Sequence, residues 1–273
     1  MATSASGFRL HSEVSLPFEP RLPSQVELRS QLRSGIRAIA PNDGKCLYAA
    51  HATARLDSFD LENALFYNIG AASFTHIARN AIRFELAPRL SSGHEWSYAL
   101  EATECTFRHW RLSEAVAEWN EQSIADTLSG GTKAGVYWRA LKSAPLALYA
   151  RELPGQFALR IRLRAPLGPR GINLAGLMKP LLDGLIAGFH SHCKELEQEL
   201  VLRIASQLGP AVSERQIRQW MTDAGPLGAR LLFGKSGWNP RDNDCVAVEL
   251  MLKRDSQNTC WSWSGSLHGV DRT

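Results

Sequence analysis

The run Phe157-Ala158-Leu159-Arg160-Ile161-Arg162-Leu163-Arg164-Ala165 alternates strictly between apolar and charged positions. Period two puts Leu159, Ile161 and Leu163 on one side of a strand and Arg160, Arg162 and Arg164 on the other. One side is core, and the other carries three guanidiniums about 7 Å apart. Pro166-Leu167-Gly168-Pro169-Arg170-Gly171 breaks the strand, and from Asn173 the period becomes helical. Leu174, Leu177, Met178, Leu181, Leu182, Leu185 and Phe189 recur at three- and four-residue steps as one wide apolar stripe. Lys179 and Asp183 fall four apart on the opposite face, where they can pair. Asn173 stands where a cap belongs. Pro180 removes one helical hydrogen bond and predicts a kink or a restart.

The same patterning predicts further strands over 8–16, 46–56, 80–87, 95–101, 136–138, 245–252 and 259–267, and helices over 24–36, 113–119, 196–208 and 213–220. The strand at 245–252 is nearly continuous in apolar residues and is expected to be central. Trp261 and Trp263 share one face, either as a platform for bases or as the apolar lining of a terminal strand. A strand, a polar turn and a helix occur in that order from residue 46 and again from residue 157, without residue-level identity. The expected architecture is α+β, with mainly antiparallel mixed sheet(s) and three to four packing helices. Two halves, 1–150 and 151–273, or one continuous domain, fit the length of 273 residues.

Composition narrows this picture. Hydrophobic residues make up 44% and charged residues 21%, which is a globular balance with a real core. A net charge of +4 permits a nucleic-acid partner without demanding one. Five cysteines with no CxxC pair argue against a disulfide framework or a zinc site and point to the cytoplasm. The opening residues have no apolar core of signal-peptide length, and no run approaches the roughly 18 apolar residues of a membrane helix. No membrane partner is expected.

Two places carry candidate chemistry. Asp57, Asp60 and Glu62 lie within six residues near the end of a strand. Mg²⁺ takes hard oxygen ligands, so these acids, with Asp183 as a further ligand, form a candidate metal set. Helix capping and dipole complementarity are the commoner reason for acids at such a place. The segment 238–244 is a turn with two more acids, Asp242 and Asp244. The second place is the arginine row, which with Arg170 and Lys179 forms a candidate phosphate-binding surface. A solvated strand face is the alternative. The Gly130-Gly131 loop lacks the spacing and lysine of a P-loop, and no GxSxG, HExxH or GxGxxG occurs.

The stretch 160–185 resembles the heart of RusA-type Holliday-junction resolvases. In that family a strand leads to Asp-x-Asp-Asn, then a lysine three residues after the Asn and an Asp four later. Lys179 and Asp183 keep the last spacing, while Asn173, Ala175 and Gly176 stand at the places of the two acids and the Asn. In the first half, Asp60-Leu61-Glu62-Asn63 has the acid-x-acid-Asn pattern, with Phe66 at the lysine step. The resemblance implies Mg²⁺ bound by acids and cleavage of nucleic acid. The arginine row and the absence of acids beside Lys179 point instead to a non-catalytic protein that binds DNA or RNA within a larger complex of protein subunits. A Mg²⁺-dependent nuclease and a protein-interaction scaffold are the two alternatives.

Overall fold

The computed structural model describes residues 2–4, 6–42, 44–54, 60–150, 155–167, 172–208, 212–234 and 237–273. The fold is α+β. Ten strands form one mixed, mostly antiparallel sheet. They are β1 (Ala2–Ser4), β2 (Gly7–Ser12), β3 (Cys46–Thr53), β4 (Ala81–Leu86), β5 (His94–Glu101), β6 (Trp110–Ala125), β7 (Leu146–Leu148), β8 (Phe157–Pro166), β13 (Cys245–Asp255) and β14 (Trp261–Arg272). Four two-residue strands, β9 (Ser191–His192), β10 (Ala229–Arg230), β11 (Phe233–Gly234) and β12 (Gly237–Trp238), pair outside it. The helices are α1 (Pro23–Arg37), α2 (Ala134–Lys142), α3 (Leu174–Gly188), α4 (Gln198–Leu208) and α5 (Glu214–Thr222), with a π-helical turn at Asn63–Tyr67 and a 3₁₀ turn at Ala71–Phe74. No helix among the described residues is long and apolar enough to cross a membrane.

The strand order is β1-β2-β5-β3-β4-β13-β8-β14-β6-β7. Outward from the antiparallel β4–β13 pair, both directions read the same: a parallel neighbour, then three antiparallel ones. Chain order repeats too. One half runs β2, α1, β3, helical turns, β4, β5; the other runs β6, α2, β8, α3, β13, β14, with residues 191–244 inserted after α3. The echo between residues 46 and 157 is this repeat, in which β3 corresponds to β8. The topological repeat turns over between β5 and β6, and the sheet runs unbroken through both halves.

Side-chain alternation builds the two faces. Leu159, Ile161 and Leu163 of β8 stand level with Val248, Leu250 and Leu252 of β13. Ile82 and Phe84 of β4, then Leu47 and Ala49 of β3, continue the same face. α1, α3 and the helical turns cover it in one large core. The opposite face carries Arg160, Arg162 and Arg164 beside Ser262, Ser264 and Ser266. Residues 107–110 cap one end of it through Phe107 and Trp110.

Three expected elements differ. The 113–119 segment lies inside the 16-residue strand β6, not a helix. Its Ala/Glu content favours a helix, but pairing with β14 and burial of Trp119 against Trp263 and Phe189 override that preference. Register shifts along β6–β14 also blur the two-residue period that would have exposed a strand. The β-branched and aromatic run 136–138 lies in α2, where Tyr137 and Trp138 are fully buried. Pro180 neither stops nor restarts α3, which is continuous over fifteen residues.

Candidate metal centre

The helical turn after β3 and the middle of α3 face each other across the core side of the sheet. Leu61, Leu65 and Phe66 bury the turn, while Leu177, Leu181 and Leu182 bury α3. The polar residues between those anchors are left to meet one another. Lys179 Nζ lies 3.2 Å from Asp60 Oδ2, 3.1 Å from Glu62 Oε1, 2.9 Å from Asp183 Oδ1 and 3.1 Å from Asp242 Oδ2. Asp242 arrives from a 3₁₀ turn, Asp242–Asp244, at the entry to β13. Asn63 Nδ2 donates to Asp60 Oδ2 and orients that carboxylate.

Charge does not balance here. An ammonium has three N–H donors, yet four carboxylates surround it. Glu62 is 2% exposed and Asp242 8%. Burial pushes the Glu62 carboxyl up to about 8, with Lys179 opposing and Asp242, Asp60 and Asp183 adding to the rise. Burial likewise pushes Asp242 up to about 6 and raises Asp183, each against the pull of Lys179. Burial works against the Lys179 ammonium, but Glu62, Asp183, Asp242 and Asp60 together hold its pKa well above the ordinary lysine value.

One oxygen from each of Asp60, Glu62 and Asp242 lies within 4.8 Å of the others. That donor set is all hard oxygen, which suits Mg²⁺ or Mn²⁺. The cluster opens on a cavity of about 700 Å³ whose wall includes Glu62, Lys179, Asp183, Lys133 and Trp238. Gly176 and Pro180 also line it, and Pro180, having no N–H, leaves the Gly176 carbonyl without its intrahelical partner.

The sequence-predicted residues part company in space. Asp60 and Glu62 come together with Lys179 and Asp183, so the acids of the first half meet the lysine and aspartate of the second. Lys179 therefore belongs to the acids on the helix-covered side, while Arg160, Arg162 and Arg164 line the reverse face of the sheet. Arg160 pairs with Glu249 at 3.4 Å and Arg164 with Glu121 at 3.0 Å, and Arg162 is exposed. Asp57 and Arg170 lie outside the described residues. Asn173 sits at the start of α3 but turns its amide to the Ala71 carbonyl instead of capping the helix. Trp261 and Trp263 are buried as core lining, which removes them as a base platform. Asp242 escaped as a site residue because it lies 182 residues from Asp60; its only signal was an acid placed just before the most apolar strand.

No family model, curated protein or solved structure matches the chain.

Proposed function

We propose that the protein is a divalent-metal-dependent phosphodiesterase acting on nucleic acid. The observation that carries this reading is one ammonium set among four largely buried carboxylates, with Lys179, Glu62 and Asp183 lining a cavity. A second cation would relieve that imbalance, and Mg²⁺ held by such oxygens would supply activation of water and stabilisation of a leaving oxygen. Asp60, Glu62 and Asp242 would hold the ion. Asn63 keeps Asp60 oriented. Asp183 pairs with Lys179 at 2.9 Å and would keep the ammonium at the cavity wall, where a metal ion drawing the other acids away would free it for a phosphate oxygen. The split acid-x-acid-Asn and Lys/Asp pattern supports the RusA-like reading of the sequence.

Mn²⁺ titration followed by paramagnetic resonance, together with cleavage of labelled DNA and RNA, tests the proposal. Wild type should bind Mn²⁺, and Asp60→Asn, Glu62→Gln and Asp242→Asn should each lower affinity at least tenfold and suppress cleavage. A second reading keeps nucleic-acid binding without catalysis, with Lys179 as the permanent counter-ion of the acids and the arginine row of β8 as the contact. Exposed Arg162, level with Ser264 on the reverse face of the sheet, favours it. Absence of Mn²⁺ binding would remove the catalytic reading, and loss of nucleic-acid binding in Arg162→Gln/Arg164→Gln would select this one.

A further inference from the structure

α1 carries a second basic row that its sequence context hides. Leu28, Leu32 and Ile36 bury one side of the helix, with Gly35 pressed against the Phe8 ring. Arg29, Arg33 and Arg37 recur at four-residue steps beside them, each a rise of about 6 Å along the axis. With Pro20, Val26, Ser30 and Ser34 they line a groove of about 540 Å³. Like charges at that spacing repel, and among the described residues no carboxylate forms an ion pair with any of the three. The β8 row differs, since Arg160 and Arg164 are already paired.

Two of these arginines are held in place. Arg29 Nη2 donates to the carbonyls of Pro17 and Phe18, and Arg33 Nε donates to the Ile69 carbonyl at 2.6 Å. A guanidinium has five N–H donors, so each retains donors for another acceptor. Arg33 also joins the groove to the metal centre. Its Nη2 would lie 2.9 Å from a Cβ at Gly70, a residue with φ of 107° that lines the site cavity. Tyr67 lines the same cavity and stacks on Phe18 with centroids 4.7 Å apart and planes 9° from parallel. Both rings are about half exposed, Phe18 at 52% and Tyr67 at 47%.

We infer that the α1 groove binds a single-stranded segment of nucleic acid and leads it to the metal centre, with phosphates on Arg29, Arg33 and Arg37 and an unpaired base on the Phe18–Tyr67 pair. A row of unneutralised guanidiniums complements a phosphate backbone, and an exposed aromatic stack accepts only a base freed from pairing. Arg33 of the groove lies against Gly70, and Phe18, whose carbonyl holds Arg29, stacks on Tyr67; Gly70 and Tyr67 line the cavity of the acid cluster, whereas the β8 row lies on the reverse face of the sheet. This rests on the reading of the cluster as a nucleic-acid-cleaving centre, but its test stands apart from cleavage.

Fluorescence anisotropy of the full chain with a labelled oligothymidylate, without metal and across a salt series, measures the contact. For single strands each neutralised phosphate contributes about 0.7 to the slope of log affinity against log salt. Arg29→Gln/Arg33→Gln/Arg37→Gln should flatten the slope by about 2 and weaken binding more than tenfold, with Mn²⁺ affinity unchanged. Arg37→Ala alone, at an exposed position with no backbone anchor, should flatten it by about 0.7 and covers the case in which the triple variant misfolds. Tyr67→Ala should weaken binding without changing the slope. Arg162→Gln/Arg164→Gln should leave affinity and slope as in wild type. The inference is overturned if the wild type fails to bind the oligonucleotide at low salt, if the slope survives loss of the α1 arginines, or if the β8 variant takes the loss instead. Failure of Mn²⁺ to bind would overturn the proposed catalysis alone.

Discussion

At the scale of single residues, Glu62 and Lys179 define what the site needs. A carboxyl whose folded pKa is raised stabilises the fold in its protonated form. That contribution is present below its ordinary value near 4.5 and is lost as pH rises toward 8. Asp242, pushed up to about 6, acts in the same direction. The metal-free protein should therefore melt at a lower temperature at pH 8 than at pH 5.5, and Glu62→Gln should flatten that decline. Calorimetry across this range checks it; a Glu62→Gln protein with an unchanged decline would place the effect elsewhere. Lys179→Met removes the counter-charge that the four acids share. At pH 8 it should cost up to about 3–5 kcal/mol, the range for breaking a buried pair, and less at pH 5.5, where Glu62 keeps its proton. Lys179 is a quarter exposed, so values at the lower end are expected.

At the scale of elements, periodicity was informative wherever one strand face met core and the other met solvent or a polar cover. The β8 pattern and the α3 stripe are both realised residue for residue, with Leu159, Ile161, Leu163, Leu174, Leu177, Leu181 and Leu185 buried. It failed where tertiary pairing outweighed local preference: β6 is a strand of helix-forming residues because β14 pairs along it, and α2 is a helix of strand-forming residues because it packs on α3. The second packing depends on Gly184. A Cβ there would lie 2.1 Å from the Ala134 carbonyl and 2.9 Å from Tyr137 Cβ. Gly184→Ala should thus push α2 outward and cost about 1–3 kcal/mol, as overpacking does. Urea unfolding measures the loss, and Mn²⁺ affinity should persist because none of the three metal-ligating acids is on α2. The site was half legible for a related reason. Asp60 and Glu62 were visible as a local cluster and Lys179 and Asp183 as a local pair, but only the fold makes them neighbours. Composition alone also favoured the β8 arginines over those of α1, since strand alternation displays charge more plainly than one stripe of a mixed helix.

At the scale of the whole molecule, two topologically matching halves meet along β4 and β13, where Arg83, 1% exposed, pairs with Glu249 at 2.9 Å. The principal core draws on both halves without a break. Such an arrangement unfolds as one unit when the junction is as well packed as its sides. Trp96 in β5 and Trp119 in β6 report on opposite halves, and both are buried. Single-tryptophan variants keeping one or the other should give coincident urea midpoints; separated midpoints would show halves that stand alone. The metal centre adds a second tie across the same junction, because Asp60 and Glu62 belong to one half and Asp242 to the other. A cation that binds only the assembled site stabilises by mass action, about 2.7 kcal/mol at a hundredfold excess over its dissociation constant. Mn²⁺ should therefore move both midpoints upward together by the same free energy. In Asp60→Asn, which removes a ligand from one half alone, the shift should vanish from both tryptophans at once. A shift retained by Trp119 but lost by Trp96 would mean that the ion is held within the second half rather than between the two.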